Sequence, residues 1–413
     1  MHLSALDAWL LLGGGALALP TLTFAAEVSA ALFGRGACSL PRARSPRYAI
    51  LIPAHDEELG LGETLAGLLD DEDPATILVV ADNCSDRTAE VARAAGVRVV
   101  ERRDPARRGK GYALRAGVEA LRAAHPAGPP EVVVLFDADC RASPGALGLV
   151  ARHAAATGRP IQADYLLRRP PGEGPLAALS ELAFLVRNRV RPRGLRALGL
   201  PCQLTGSGVA LPWSLLTGAD LGGGWLTEDL LLGAHLGLAG APPLSCGDAQ
   251  VWSELPAGGA AASAQRRRWE HGHLWTAARC AAPLLLRGLT RGRPDLIAQA
   301  LDLAVPPLSL LLLLWGGLGL LSAAGLACGL GGGPSLALSA AALSILALAV
   351  LAAWARFGRA RIPASALLRA PLYALAKAPL YARALLAPER RWVRTQRAAR
   401  PAGHAARGAA GRE

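Results

Sequence analysis

Lysine and asparagine are nearly missing from this sequence of 413 residues. Lys110 and Lys377 are the two lysines and Asn83 and Asn188 the two asparagines, so arginine supplies almost all of the positive part of a formal net charge of +12. Aromatic residues make up 5% of the chain, and no basic stretch alternates with aromatic residues able to stack on bases. The basic excess therefore favours anionic lipid or an anionic substrate over nucleic acid.

Paired cysteines and the common nucleotide-binding loops are missing as well. The seven cysteines include no C-x-x-C pair, which argues against a disulfide framework and a zinc site and predicts reduced thiols in a cytosolic domain. The stretch PARRGKG (105–111) lacks the first glycine and the final hydroxyl residue of a P-loop, and no G-x-G-x-x-G follows the first predicted strand. A P-loop ATPase and a dinucleotide-dependent oxidoreductase are therefore disfavoured.

Long apolar stretches are present, in a chain that is 52% hydrophobic. Residues 8–33, 301–326 and 336–354 are each long enough to cross a hydrocarbon core, which takes about 20 apolar residues. The first seven residues contain no Lys or Arg, so the first stretch is predicted to be an anchor rather than a cleaved signal peptide. Arginines follow the first and third stretches, which predicts that residues 45–280 face the cytoplasm. Buried core helices are the alternative for the last two stretches.

The C-terminal part of the chain mixes apolar and basic residues. Residues 362–388 carry charges at Arg369, Lys377 and Arg383 between apolar residues, which predicts an amphipathic segment in the membrane interface rather than a fourth crossing. Residues 389–413 form a basic cytoplasmic tail, which we expect to lie against anionic headgroups.

The sequence pattern of residues 45–280 predicts alternating strands and helices. Short apolar runs at 48–54, 75–82, 97–102 and 131–139 are separated by helical patterns. Such alternation predicts an α/β fold with a parallel sheet covered on both faces. Ligands of these sheets bind beyond the carboxyl ends of the strands, so the residues that follow each strand are the candidates for function.

Acidic residues stand at three of these strand ends. Asp56 and Glu57 follow the first strand, Asp82 ends the second, and Asp137 and Asp139 end the fourth. Each acid alone could cap the following helix. Three tips that bring acids to one edge require a positive partner, because like charges raise one another's energy. A divalent metal ion and a cationic side chain are the usual partners.

The sequence offers both partners. Residues two apart in a strand point to the same side, so Asp137 and Asp139 are predicted to face one ligand, and hard carboxylate oxygens select Mg²⁺ or Mn²⁺. Lys110 stands between Gly109 and Gly111 in a chain that uses arginine almost everywhere else. The glycines allow a close approach of the backbone and the ammonium suits phosphate, whereas the alternative is an exposed lysine in a turn.

Three further stretches downstream are candidates. QLTGSGVAL (203–211) is rich in glycine and suits close approach to a ligand. GWLTEDLLLG (224–233) places Glu228 and Asp229 at the start of a predicted helix, where a role in capping, with Thr227 as the cap, is the alternative. QRRRWEHGH (265–273) places three arginines and a tryptophan before the second apolar stretch, where a juxtamembrane role is the alternative. His271 and His273 could suggest a metal pair, but the sequence offers no further ligand near them.

Taken in order, seven motifs resemble those of the membrane-bound inverting glycosyltransferases of family 2. That group includes cellulose, chitin-oligosaccharide and poly-N-acetylglucosamine synthases and ceramide glucosyltransferases. The resemblance covers about residues 47–275 and includes the apolar stretches on either side. The motifs are IPAHDEE, VVADNCSDRTA, GKGYAL, FDADC, TGSGVAL, TEDL and QRRRW.

The resemblance implies a GT-A fold with flanking transmembrane helices and a nucleotide-sugar donor, most often UDP-linked. It assigns donor binding to Pro53, Glu57, Asp82, Lys110 and Asp137. It assigns Mg²⁺ or Mn²⁺ to Asp139 together with Asp137, and the general base to Asp229. It assigns the acceptor and diphosphate region to Gly206, Ser207, Gln265, Arg268 and Trp269.

The chemistry implied is a single displacement at the anomeric carbon. Negative charge develops on the departing nucleoside diphosphate, where Lys110, Arg268 and the metal are expected to offset it. The acceptor hydroxyl attacks from the opposite face and gives its proton to a carboxylate, so the configuration inverts. The arginine- and alanine-rich composition favours a bacterial origin. The resemblance implies an enzyme at the cytoplasmic membrane that makes an envelope glycan, an exopolysaccharide or a glycolipid.

Three predicted crossings are fewer than polymer-secreting relatives generally have. We therefore expect either one transfer to a lipid or glycan acceptor, or export that needs an oligomer or a partner protein. A polyprenyl-phosphate sugar transferase is an alternative, although such enzymes generally lack the Q-x-x-R-W motif. A non-catalytic membrane scaffold of an export complex is the other, and the full set of acids argues against it.

Overall fold

The computed structural model describes residues 4–34, 44–125, 128–219, 221, 228–255 and 260–386. The basic tail predicted for residues 389–413 lies outside this part of the chain.

The described residues contain one mixed sheet of eight strands in the order β3-β2-β1-β4-β7-β6-β8-β5. The first four strands in this order are parallel to one another, whereas β7 runs antiparallel to both β4 and β6, and β5 runs antiparallel to β8. The α/β sheet predicted from the sequence is confirmed, and half of it is mixed rather than parallel. The strands are β1 (Tyr48–Ala54), β2 (Ile77–Asp82), β3 (Arg98–Arg102), β4 (Val132–Leu135), β5 (Arg141–Ala142), β6 (Ile161–Arg168), β7 (Val209–Pro212) and β8 (Leu244–Glu254).

Fifteen α-helices accompany the sheet within the described ranges. Single turns of other kinds occur at Pro74–Thr76 (3₁₀), Val186–Val190 (π) and Trp354–Gly358 (π). The helices are α1 (Ala5–Phe33), α2 (Leu61–Leu69), α3 (Thr88–Ala94), α4 (Lys110–Ala124), α5 (Ala146–Thr157), α6 (Pro175–Leu185), α7 (Arg191–Ala197), α8 (Trp213–Gly218), α9 (Glu228–Leu238), α10 (Ala260–Thr290), α11 (Pro294–Ala304), α12 (Leu308–Ala327), α13 (Gly333–Ala353), α14 (Ala364–Leu367) and α15 (Ala370–Leu386).

Helices cover both faces of the parallel half of the sheet. Side chains alternate along a strand, so Ile50 and Ile52 of β1 join a core with α2, α3 and α5, whereas Ala49 and Leu51 join a core with α4 and α8 on the other face. All six residues of β2 are buried. Burial on both faces explains why these strands read as continuous apolar runs, and it leaves the strand ends as the place for polar side chains.

Among the described residues, three helices are long and apolar enough to cross a membrane: Ala5–Phe33, Leu308–Ala327 and Gly333–Gly358. The second stretch was predicted to begin at residue 301, but its helix begins at Leu308. Pro306 and Pro307 separate it from α11, because proline lacks the backbone donor that would continue the helix.

The apolar helices and the sheet domain pack directly on one another. A Cβ atom built on Gly194 of α7 would lie 1.9 Å from the Glu27 carbonyl oxygen of α1, so the two helices are in backbone contact there. The buried Arg191 of α7 donates from Nε to Glu27 Oε2 at 2.5 Å and from Nη2 to the Asp302 carbonyl oxygen at 2.8 Å, and it also pairs with the Asp302 carboxylate. Removing Arg191 would leave the buried carboxylates of Glu27 and Asp302 without this cation, at a cost of order 3–5 kcal/mol of folding free energy.

The boundary predicted at residue 280 falls inside a helix. Helix α10 runs unbroken to Thr290 and contacts α15, where Lys377 pairs with Glu270. Tyr381 of α15 and Ser309 of α12 are joined by a hydrogen bond of 2.6 Å between their hydroxyl oxygens. The segment predicted to be interfacial, residues 362–388, is thus packed on both the sheet domain and an apolar helix as far as it is described.

Candidate active site

The loops that follow β1 and β2 are joined by hydrogen bonds. The Ser85 backbone N–H donates to Asp56 Oδ1 at 2.6 Å, and the Glu57 N–H donates to Thr88 Oγ1 at 2.8 Å. Asp56 has a φ of +52°, a left-handed conformation that is uncommon outside glycine. Because β1 and β2 are parallel, their carboxyl ends form one rim, and these bonds fix its shape.

Asp82 lies in this rim at the end of β2 and is 6% exposed. Its Oδ1 accepts a hydrogen bond of 2.6 Å from Arg102 Nη1 and one of 3.0 Å from Asn83 Nδ2. Arg102 ends β3, next to β2, and its guanidinium lies 5.5 Å from the centre of the Tyr112 ring. Pro53 lies within β1 opposite Val80 of β2. Sequence reasoning missed Arg102, although its place at a strand end was a signal that could have found it.

Asp137 and Asp139 lie in a turn rather than in a strand. Strand β4 ends two residues before Asp137, and the Cys140 N–H donates to the Asp137 carbonyl oxygen at 3.1 Å. The prediction that strand alternation orients the two acids is therefore wrong. The turn nevertheless brings ligand atoms of Asp137, Asp139 and Cys140 within 4.8 Å of one another. Thr64 Oγ1 of α2 donates to the Ala138 carbonyl oxygen at 2.8 Å and holds the turn against the core.

The side chains of this turn fit a hard divalent cation. Burial, together with the charges of Asp139 and Asp137, raises the pKa of the Cys140 thiol well above its ordinary value, so the sulfur stays protonated. The remaining donors are two carboxylates, which suit Mg²⁺ or Mn²⁺ better than a metal that prefers thiolate.

Lys110 connects the acidic turn to the loop before β7. It begins α4 directly after Gly109, which has a φ of +141°. The Lys110 ammonium pairs with Asp137 Oδ1 and lies 3.5 Å from the Gly206 carbonyl oxygen. The Asp137 N–H donates to Ser207 Oγ at 3.0 Å. One cation and one hydroxyl therefore fix Asp137 relative to the glycine-rich loop.

Asp229 faces this group from α9. A Cβ atom built on Gly206 would lie 3.5 Å from Asp229 Oδ2 and 4.0 Å from Asp137 Oδ2, so both carboxylates lie next to this glycine. Gly206 has a φ of +110°, which other residues rarely adopt. The suggested cap, Thr227, lies outside the described residues. The structure thus brings Lys110, Asp137, Gly206 and Asp229, which are distant in sequence, to one place.

Two cations counteract the effect of burial on Asp229. Burial raises the pKa of the Asp229 carboxyl, while Lys110 and Arg187 lower it. Arg187 lies in the π turn between α6 and α7, and its Nη2 is 3.5 Å from Nδ1 of His273 in α10. Sequence reasoning missed Arg187, because a π turn leaves no mark in the hydrophobic periodicity.

Gln162 is a second residue that the sequence did not reveal. It is buried in β6, where its Oε1 accepts from the Thr205 N–H at 2.7 Å and its Nε2 donates to the Ser207 carbonyl oxygen at 2.9 Å. The amide thus holds the loop on both sides of Gly206. A glutamine within an apolar strand was the signal available.

The Q-x-x-R-W residues Gln265, Arg268 and Trp269 lie in α10. Trp269 packs edge-on against Phe184 of α6, with 5.0 Å between the ring centres and 78° between the ring planes. His273 of α10 contacts Arg187, whose charge acts on Asp229, and this contact links α10 to the acidic group.

His271 and His273 do not form a metal pair. Nε2 of His271 lies 3.1 Å from the Leu380 carbonyl oxygen of α15, and Nε2 of His273 lies 3.1 Å from the Val305 carbonyl oxygen. The two rings hydrogen-bond to backbone groups of different segments. The low pKa of His273, about 3, follows from burial and from the nearby Arg187 and keeps the imidazole neutral.

Comparisons with known proteins agree with the fold. The family described as "Glycosyltransferase like family 2" matches residues 46–272. A mannosyltransferase from Pyrobaculum calidifontis, PcManGT, solved with GDP-Man and Mn²⁺, superposes with a TM-score of 0.55 at 16% identity, covering 93% of this chain and 100% of that chain. Glucosyl-3-phosphoglycerate synthase from Mycobacterium tuberculosis, solved with Mn²⁺, UDP-Glc and phosphoglyceric acid, gives a TM-score of 0.33 at 21% identity over 51% of this chain and 77% of that chain.

A protein of Methanocaldococcus jannaschii, described as "Uncharacterized protein MJ1222", is 37% identical over 90 residues, which is 22% of this chain. The match spans about a third, 34%, of that relative's length. The narrower likeness to cellulose and chitin synthases stays a prediction. The family match covers more than half of the chain and the fold agrees with it, so the chain belongs to glycosyltransferase family 2 and is a glycosyltransferase with the GT-A fold.

Proposed function

We propose that the protein transfers a sugar from a nucleotide-sugar donor to a lipid or glycan acceptor at the cytoplasmic face of a membrane, with inversion at the anomeric carbon. The observation that carries this proposal is the group around Gly206, where the carboxylates of Asp137 and Asp229 both lie next to the glycine and Lys110 pairs with Asp137. One side of this group suits a diphosphate and the other suits a base.

Lys110 and the acidic turn form the donor side. The ammonium at the start of α4 is placed to bind a donor diphosphate, while Asp139, together with Asp137, would hold Mg²⁺ or Mn²⁺. A divalent cation bound there supplies positive charge that offsets the charge developing on the leaving nucleoside diphosphate. Pro53, Glu57 and Asp82 lie in the rim of β1 and β2, where they would hold the nucleoside.

Asp229 is the proposed general base. Burial raises the pKa of the Asp229 carboxyl, which makes its carboxylate a stronger base, whereas Lys110 and Arg187 lower that pKa. The Asp229 carboxylate takes the proton of an acceptor hydroxyl as that hydroxyl attacks the anomeric carbon. Attack opposite the leaving group makes a covalent sugar intermediate unnecessary.

The apolar helices support a membrane acceptor. The three candidate spans pack on the sheet domain through the contact of α1 with α7, so a lipid acceptor could reach the site from the bilayer surface. Gln265, Arg268 and Trp269 lie in α10, which runs from the sheet domain to the helix bundle and would border the acceptor. With three candidate spans, we propose a single transfer, or polymer export that needs an oligomer or a partner.

The test is a transfer assay with the full-length protein in detergent or nanodiscs. Radiolabelled UDP- and GDP-sugars are supplied with Mn²⁺ or Mg²⁺, and label is followed into lipid and polymer. We expect a UDP-sugar to label lipid or glycan, and Asp229→Asn to abolish this. Asp73→Asn is the matched control, because Asp73 is exposed and only caps the turn before β2.

Wild-type turnover by Asp229→Asn would overturn the assignment of the base. A product with the donor's anomeric configuration would overturn inversion. Label from a GDP-sugar alone would replace the UDP donor while leaving the transfer reaction in place.

A further inference from the structure

An arginine-lined cavity lies apart from the proposed transfer site. It has a volume of about 90 Å³ and lies between β6 and β8 of the sheet, α6, and the π turn that ends the third candidate span. Three guanidinium groups line it, those of Arg168, Arg189 and Arg361, together with a single carboxylate, Glu181. None of its lining residues belongs to the group around Gly206.

Positive charge in this cavity exceeds its local compensation. Arg361 Nε donates to Glu181 Oε1 at 2.7 Å, and Arg189 Nε lies 3.3 Å from Asp164 Oδ2 outside the lining. No carboxylate among the described residues lies within ion-pair distance of Arg168. The central carbon of its guanidinium lies over the Trp252 ring, 4.0 Å from the ring centre, and this cation–π contact leaves N–H groups of the guanidinium for another acceptor.

The environment of Arg168 favours an anion as that acceptor. Burial lowers the pKa of Arg168 and Arg361 adds to this effect through like-charge repulsion, whereas Glu181 acts in the opposite direction without reversing the shift. A guanidinium that is half-buried and close to other cations gains most from a negative partner that desolvates with it. A phosphate fits, because its oxygens accept from the parallel N–H groups of an arginine fork.

The cavity also lies at the end of an apolar helix. Phe357 and Gly358, the last residues of the candidate span Gly333–Gly358, are part of its lining. Arg356 and Arg359 are exposed on the same turn and flank it. If α13 crosses the bilayer, the cavity lies at the level of the lipid headgroups, where basic residues attract anionic lipids.

We propose that this cavity binds the phosphate of an anionic phospholipid headgroup and thereby anchors the β6–β8 side of the catalytic domain to the bilayer surface. The proposal rests on the membrane location in the proposed function. A soluble phosphate compound is the other source of the same chemistry, and the test separates the two.

The test measures lipid binding by the full-length protein in a neutral detergent, using native mass spectrometry with phosphatidylglycerol as the probe. We expect the wild type to retain one phosphatidylglycerol, and Arg168→Gln to weaken that binding at least about tenfold. Arg168→Lys should fall between the two, because lysine keeps the charge but loses the fork. Arg359→Gln is the matched control, since Arg359 is exposed and outside the cavity lining, and it should bind as the wild type does.

Equal weakening by Arg168→Gln and Arg359→Gln would show general surface attraction and overturn the proposal. Inorganic phosphate that displaces phosphatidylglycerol at millimolar concentration would assign the cavity to a soluble ligand and overturn the lipid assignment. If Arg168→Gln does not fold, binding by Arg168→Lys that equals the wild type would also count against it.

The design distinguishes a failure of lipid binding from a failure of sugar transfer. Asp229→Asn should bind phosphatidylglycerol as the wild type does while losing sugar transfer, so an inactive enzyme still tests the cavity. Conversely, a wild type that transfers sugar but retains no phosphatidylglycerol would overturn the lipid proposal alone.

Discussion

Gly206→Ala tests whether reacting groups meet between Asp137 and Asp229. The added methyl carbon would lie 3.5 Å from Asp229 Oδ2 and 4.0 Å from Asp137 Oδ2, which are ordinary contact distances, so it fits without moving either carboxylate. It does occupy space next to both of them. An acceptor hydroxyl bound to Asp229 needs an oxygen about 2.6–3.2 Å from the carboxylate, and the methyl group takes up part of the space around that carboxylate.

The expected loss of transfer is large compared with the loss of stability. Displacing an acceptor by about 1 Å can lower the rate about 100-fold, which corresponds to about 2.7 kcal/mol of transition-state stabilisation. The φ of +110° at Gly206 costs alanine about 1–3 kcal/mol of folding free energy. A protein of ordinary stability, about 5–15 kcal/mol, therefore remains folded at 25 °C.

The assay compares turnover and thermal midpoint for Gly206→Ala and Gly96→Ala. Gly96 also has a positive φ, +77°, and a Cβ atom there would meet nothing within 4 Å. It lies between α3 and β3, at the amino-terminal end of β3, whereas the candidate site lies beyond the carboxyl ends of the parallel strands. We expect both variants to lose stability and only Gly206→Ala to lose transfer. Wild-type turnover by a destabilised Gly206→Ala enzyme would refute the placement of acceptor and donor across this glycine.

Three further outcomes follow from the same contacts. Arg187→Gln removes a cation that lowers the pKa of Asp229, so the acidic limb of the profile of kcat/KM against pH should move to higher pH, and an unchanged limb would exclude this coupling. Gly194→Ala places a methyl carbon 1.9 Å from the Glu27 carbonyl oxygen, so α1 and α7 must separate, and the thermal midpoint in detergent should fall by the equivalent of at least about 1–3 kcal/mol. EDTA should stop transfer and Mn²⁺ or Mg²⁺ restore it, and full activity after exhaustive chelation would contradict a role for the acidic turn in metal binding.

The parallel half of the sheet could be predicted because its signal is local. The apolar run predicted at 48–54 matches β1, and the acids that follow such runs had to lie at one edge once the strands were parallel. The antiparallel strand β7 could not be predicted, because an apolar run carries no mark of its direction. The turn at Asp137–Cys140 was missed for a related reason, since the run continued through Phe136 beyond the end of β4.

The rest of the candidate site depends on contacts between distant residues. Arg102 reaches Asp82 only because β3 is the neighbour of β2, and Gln162 brackets the Gly206 loop only because β6 lies beside β7. Sequence spacing gives no measure of such pairings. It predicted which acids are chemically suitable, whereas the cations and amides that orient them came from the packed structure.

A series of contacts connects the proposed base, Asp229, to the apolar helices. Arg187, which lowers the pKa of Asp229, precedes Arg191 by one turn, and Arg191 is held by Glu27 of α1 and by Asp302 of α11. The π turn and α7 are continuous, so a shift of α1 that moves Arg191 also moves Arg187 relative to Asp229. We therefore expect α1, a candidate membrane span, also to affect the position of Arg187 beside the carboxylate proposed to accept the proton. Fragments without α1 should then show an altered pH profile even where the sheet domain folds.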